Sequence, residues 1–252
     1  MSDSAMEGEF DDVASWTADA VKQLGPEHAI PAGCRGSASP AALAWLAEAC
    51  ELRAGTRLLD LGAGVGGPAA WAHRRYAVQP ILIDPMPGAT SASARLFGLP
   101  VVTADGLAIP LQSGSVDAAW ALGVLCTVTD KVALLKELRR VIAPGGSLGL
   151  LVLVAQAESL DPMPEGNSFP RQVELDAVLD EAGFDVREQT AEPDETPLSW
   201  TERADRVEEL VRSAHGQDRV YREAQEQSRR IGVLLESGQV ATRLVHAVGR
   251  RP

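Results

Sequence analysis

At 252 residues, 45% hydrophobic and 23% charged, the chain has the composition of a globular protein and the length for one sizeable core with additions. A formal net charge of −12 speaks against nucleic acid as a partner, because that recognition rests on Lys and Arg neutralising phosphates. Cys34, Cys50 and Cys126 are widely spaced and show no C-x-x-C pairing, so neither a disulfide framework nor a metal site is expected.

The chain opens MSDSAMEGEFDD, which lacks the basic and apolar regions of a signal peptide, and a cytoplasmic location is expected. Its longest apolar run, Leu148 to Ala155, is far short of the roughly 20 residues a bilayer-spanning helix needs. Residues 1–54 read as a helical cap. Within it Ser39 is an N-cap and Pro40 the first helical position, Leu43, Leu46 and Cys50 fall at helical spacing, and Gly55 is expected just past the end.

From Thr56 the texture changes. RLLDLG, QPILID, LPVVTAD, SVDAAWAL and SLGLLVLVA read as strands, and the segments opening at Pro68, Gly88 and Lys131 read as helices. This alternation predicts an α/β fold built of βαβ units around a mostly parallel sheet, with residues 55–156 as its core. In the remainder, 157–252, a Pro-rich connection leads to a helix over Arg171 to Ala182 closed by Gly183, then strands FDVREQTAE and VATRLVHAVGR. Between those strands, 198–236 is charged and long enough for two helices. It is placed either as a lid or as a solvated helical decoration.

The chemistry concentrates in RLLDLGAGVGGPAAW, where Gly62, Gly64 and Gly67 satisfy G-x-G-x-x-G between a strand and a helix. Such a loop brings backbone N–H groups and a helix N-terminus to a ligand, either a dinucleotide or S-adenosylmethionine. Asp60 discriminates between them. A carboxylate at the strand tip repels a pyrophosphate, whereas S-adenosylmethionine presents an ammonium that it can accept from; the other role open to Asp60 is to take loop N–H groups. Asp84, about 20 residues further on, stands where ribose hydroxyls are held in either case. Asp105, at the end of the third strand, can accept from the adenine amine while Leu107 packs on the ring.

Together these residues carry a resemblance. LLDLGAGVGG, the acid of LIDPM, ADGLAIPL, SVDAAWALGVLCTVTD and LRRVIAPGGSLGL resemble, in order and spacing, the class I S-adenosylmethionine-dependent methyltransferases, in particular the small-molecule branch that includes quinone-biosynthesis enzymes. The resemblance implies a Rossmann-like, doubly wound seven-stranded sheet whose last strand runs antiparallel. It implies that Asp60, Gly62, Ala63 and Gly64 contact the methionine part of the cofactor and that Asp84 holds the ribose. Pro85 and Met86 would lie beside the adenine together with Asp105, Gly106 and Leu107, and Leu122 and Gly123 would line the pocket after the fourth strand. The departure is LCTVTD, where Cys126 and Thr127 replace a histidine pair of many relatives, so a histidine mechanism there is not expected.

No general base is visible. His28 and His215 are the candidates within reach of an acceptor, while His73 and His246 fall at structural positions. Trp200 and Tyr221 are either pocket walls or packing for the added helices. Arg35 in PAGCRGSASP is expected to close over the site, toward the cofactor carboxylate or an acidic acceptor. The resulting expectation is transfer of a methyl group to an O, N or C atom of a small metabolite by a monomer or homodimer. An NAD(P)-dependent oxidoreductase and a nonenzymatic S-adenosylmethionine binder are the alternatives, the first opposed by Asp60.

Overall fold

A computed structural model of the chain describes residues 3–193 and 195–250, with side chains from Asp11 onward. The acidic opening of the chain lies partly outside that range. Seven strands form one sheet: β1 Arg57–Leu61, β2 Gln79–Asp84, β3 Val101–Thr103, β4 Val116–Leu122, β5 Ile142–Ala155, β6 Phe184–Ala191 and β7 Val240–Gly249. Their order is β3-β2-β1-β4-β5-β7-β6, and β7 runs antiparallel to both its neighbours. Strand order reverses between β1 and β4, which opens a crevice at the carboxyl ends of these central strands.

The apolar runs are strands because both faces of the sheet are covered. Leu59, Ala119, Leu148 and Leu150 pack against Leu134, Leu135 and Leu138 of α6 (Lys131–Val141) and Leu175 and Leu179 of α7 (Gln172–Glu181). On the opposite face Leu58, Ala118 and Trp120 pack against Leu43 and Leu46 of α3 (Pro40–Ala49) and Ala70 and Ala72 of α4 (Gly67–Tyr76). Ser39 caps α3, its side chain accepting from the Ala42 N–H at 3.1 Å. Gly55 does not close that helix. The helix ends at Ala49 with Cys50 as its cap, and Gly55 instead donates its N–H to the Ala77 carbonyl at 3.0 Å, turning the chain into β1.

Five further helical segments form one layer. α1 (Asp3–Leu24), the 3-10 turn Pro26–His28 and α2 (Ala29–Gly33) come from the start of the chain, and α8 (Leu198–His215) and α9 (Arg219–Glu236) from the segment before β7. Val207, Val211 and Tyr221 pack among Ala20, Val21, Ala29 and Ala32, so the first and last thirds of the sequence share a small core above the sheet. Among the described residues, no helix is long and apolar enough to cross a membrane.

Candidate active site

The loop from β1 into α4 is held from below and open above. Asp60 sits at the β1 tip between Leu82 and Trp120 of the neighbouring strands and is 1% exposed. Its Oδ2 accepts from the Ala69 N–H in the first turn of α4 at 3.2 Å. Burial raises its pKa to about 7; that N–H opposes the rise and the Asp84 charge adds to it. Gly64 has φ +53° and no atom within 4 Å of where a Cβ would stand, so the loop presents free space there. Gly67 is the reverse case: a Cβ on it would lie 2.2 Å from the Gly33 carbonyl carbon, so α2 rests directly on the N-terminus of α4.

Asp84 ends β2, nearly buried. Its Oδ2 accepts from the Gly64 N–H at 2.8 Å and its Oδ1 from the Met86 N–H at 2.9 Å, which ties the glycine loop to the next strand. Burial raises its pKa against the pull of these two N–H groups, and the Asp11 charge raises it further. Each oxygen retains a lone pair for a ligand hydroxyl. Pro85 and Met86 follow as the chain enters α5 (Pro87–Phe97). β3 stops at Thr103, two residues before the expected end, which leaves Asp105 in an exposed turn accepting from the Leu107 N–H at 2.8 Å. Leu107 is 45% exposed, an apolar face on an open rim. Gly106 is packed so closely that a Cβ would come within 2.7 Å of Leu134.

After β4, Leu122 is buried and Gly123 donates to the Leu151 carbonyl at 2.9 Å. The Gly36 carbonyl oxygen lies 3.7 Å from where a Gly123 Cβ would stand, so the segment after α2 crosses directly over the end of β4. Arg35, the preceding residue, does not turn toward the glycine loop. Its guanidinium pairs with Glu208 of α8, which also accepts from the Tyr221 hydroxyl at 2.6 Å and the Gln225 amide at 2.9 Å. These four residues edge a cavity of about 610 Å³ between α8, α9 and the 35–36 segment, whose other walls are Glu202, Asp205, Arg206, Glu209 and Arg212. Burial and Glu208 push the Tyr221 hydroxyl up to about 12.

The histidines lie elsewhere. His215 stacks on Trp16 of α1, ring centroids 4.0 Å apart, and its Nδ1 is 2.8 Å from Asp218. The Nδ1 of His28 is buried without a hydrogen-bond partner, and neither histidine lines the cavity. Cys126 is buried with its thiol on the Gly123 carbonyl at 2.9 Å and its pKa pushed to about 11, mainly by burial. Beside it Lys131 donates to Ser168 at 2.7 Å and to the Val128 carbonyl at 2.9 Å. Among the described residues no group of three or more His, Cys, Asp or Glu side chains is placed to hold a metal ion.

Four residues at or near the site were not singled out from sequence. Asp11 of α1 accepts from the Gly88 N–H at 2.7 Å, two residues beyond Met86. Glu208 gathers three donors from distant parts of the chain, and Lys131 with Ser168 closes the loop after β4. None carries a spacing signal, since each meets its partners only through tertiary packing.

Residues 59–150 match the methyltransferase domain family. The chain is 31% identical over 189 residues to the 27-O-demethylrifamycin SV methyltransferase of Amycolatopsis mediterranei, covering 67% of this chain and 68% of that one. It is 26% identical over 178 residues to methyltransferase GfsG of Streptomyces halstedii, covering 60% of each. The structure resembles that of the [4+2]-cyclase SpnF with a TM-score of 0.66 at 24% identity, over 83% of this chain and 80% of that one, a likeness of fold.

Proposed function

This chain belongs to the class I S-adenosylmethionine-dependent methyltransferases, and from that membership we propose that it methylates oxygen on a hydroxylated small molecule. The cavity between α8, α9 and Arg35 carries the reading. Its walls are four carboxylates, three guanidiniums, an amide and the Tyr221 hydroxyl, with no aliphatic side chain. A hydroxyl-rich molecule finds donors and acceptors on every side there, among the aliphatic stems of the arginines and glutamates, whereas no aliphatic or aromatic hydrocarbon pocket is present for a lipid chain. The Arg35 edge of the cavity lies one residue from Gly36, over the end of β4. The methyltransferase of A. mediterranei, by its name, acts at an oxygen.

The cofactor fits the residues present: open space above Gly64, a carboxylate at each of the first two strand tips, and an exposed apolar Leu107 at the rim. In this reading Asp60, Gly62, Ala63 and Gly64 face the methionine part, Asp84 the ribose, and Pro85, Met86, Asp105, Gly106 and Leu107 the adenine, with Leu122 and Gly123 lining the pocket toward the acceptor. When bound, S-adenosylmethionine supplies an electrophilic methyl group on a sulfonium. The chain's own part is alignment and exclusion of water. α2 and the 35–36 segment cover the end of β4, and the Arg35–Glu208–Tyr221 contacts hold α8 and α9 against that cover. With its pKa at about 12, Tyr221 keeps its proton at neutral pH and serves as a donor.

The same reading places the protein in the cytoplasm as a monomer or homodimer without a nucleic-acid partner, supported by the net charge of −12 and by three buried, unpaired cysteines. The test is product analysis by mass spectrometry after incubation with S-adenosylmethionine and matched acceptors: hydroxylated polyketides and phenols, their amino counterparts, and long-chain fatty acids. Methylation confined to the hydroxylated members is expected. Equal turnover of the amines would refute the oxygen assignment, and equal turnover of the fatty acids would refute the polar, hydroxylated acceptor class.

A further inference from the structure

We propose that Arg35 and Glu208 form a latch: their ion pair holds the strap 33–36 down over the glycine loop and the end of β4, and its breakage sets the rate at which S-adenosylmethionine enters and S-adenosylhomocysteine leaves. The inference rests on the glycine loop being the cofactor site.

The strap is short and lies close at both ends. Gly33 closes α2 against the start of α4: a Cβ on it would stand 2.9 Å from the Gly67 Cα and 3.4 Å from Cγ2 of Val65 in the glycine loop. Three residues on, Gly36 turns the chain with φ +74° and sets its carbonyl oxygen over Gly123, just after β4. The strap thus runs from the β1–α4 loop to the end of β4, across the crevice where strand order reverses. It is also tied to itself. The Arg35 N–H donates to the Ala32 carbonyl at 3.2 Å, and the Ser37 N–H and hydroxyl donate to the Cys34 carbonyl at 3.0 and 2.8 Å, so the turn moves as one piece.

Arg35 fastens this piece to the α8–α9 layer. Its guanidinium pairs with Oε2 of Glu208, whose Oε1 takes the Tyr221 hydroxyl at 2.6 Å and the Gln225 amide at 2.9 Å, both from α9. Glu208 is therefore braced by a second helix and does not follow the strap. Lifting the strap breaks the ion pair. The pair is also open enough to break, with the Arg35 side chain 48% exposed and that of Glu208 20% exposed. A charge pair in that setting biases an equilibrium only several-fold, enough to keep a strap down for most of the time without locking it. Because both partners belong to the chain, the latch resists opening in either direction, and its loss speeds entry and exit together.

The competing role for the pair is a surface contact that braces α8 and leaves exchange alone. Surface plasmon resonance of S-adenosylhomocysteine on the full chain separates the two, since it reads both rate constants. Glu208→Gln removes the charge and keeps an oxygen for Tyr221 and Gln225; Arg35→Gln removes the other partner, and either serves if the other does not fold. Each is expected to raise the association and dissociation rate constants together, roughly three- to tenfold, and to leave Kd within about twofold. The double variant should be no faster than the single ones. Arg219→Gln, which breaks an ion pair with Glu223 on α9, should match the unmodified protein. S-adenosylhomocysteine carries one ammonium and one carboxylate and so no net charge, which leaves the latch as the target of added salt. Raising salt should speed exchange in the unmodified protein and not in Arg35→Gln. Unchanged rates, faster dissociation with an equally weakened Kd, or additive effects in the double variant would each overturn the proposal. If the unmodified protein binds neither S-adenosylmethionine nor S-adenosylhomocysteine, the cofactor site itself falls and the latch with it.

Discussion

Replacing Asp60 by Asn tests how the buried acid at the β1 tip is held. The carboxyl is 1% exposed, has the Ala69 N–H as its donor at 3.2 Å, and is raised chiefly by burial from 3.8 to about 7. A rise of that size corresponds to up to about 4 kcal/mol in favour of the protonated form in the folded state. Because the folded value lies above the unfolded one, this stability is fully present below pH 3.8, is lost as the pH rises through about 7, and stays lost above it. Asn is neutral throughout and keeps an oxygen for Ala69. Between about pH 5 and pH 8 the unmodified protein should therefore lose about 2–3 kcal/mol relative to Asp60→Asn. Urea unfolding of both proteins across that range measures this, and taking the difference at each pH cancels the groups they share. Parallel stability profiles would refute the reasoning, since they would mean that Asp60 is solvated or already paired.

Two glycines of the same loop should fail in opposite ways. Gly64→Ala places a methyl in open space, so beyond the roughly 1–2 kcal/mol cost of a left-handed alanine it should leave melting nearly intact while S-adenosylmethionine affinity falls by at least about tenfold; unchanged affinity in calorimetry would remove Gly64 from the cofactor surface. Gly67→Ala drives a methyl to 2.2 Å from the Gly33 carbonyl carbon and should destabilise by about 2 kcal/mol or more through overpacking, read as a lowered urea midpoint and faster proteolysis in α2; a stable variant would show that α2 does not rest on α4 as described.

How far the sequence could be read depended on the range of the forces involved. The seven strands, the helices between them and the cap at Ser39 follow from contacts within a few residues, and each has a local signature in periodicity, N-cap chemistry or a terminating glycine. Asp60 and Asp84 were legible as strand-tip acids for the same reason, whereas Asp105 falls in the turn beyond the end of β3. Arg35 was expected to close over the site and instead pairs with Glu208, a partner no pattern distinguishes because it lies 173 positions away in a run of acids. Asp11 was illegible on the same ground: its place is set by α1 packing its alanines on Val65 and Met86, a contact that small residues make possible without announcing it.

α1 also joins the glycine loop to the α8–α9 layer. One of its faces lies on the cofactor loop through Ala14 and Ala18, while Trp16 stacks on His215 at the end of α8 and Ala20 and Val21 pack with Val207 and Val211. α8 in turn carries Glu208, which holds Arg35 at the edge of the cavity between α8 and α9. If the glycine loop holds the cofactor and the cavity the acceptor, as proposed, a helix packed on both cannot lift from one without loading the other. Binding at either site is thus expected to lower the cost of ordering α1 for the second ligand, and by reciprocity the coupling must be equal in both directions.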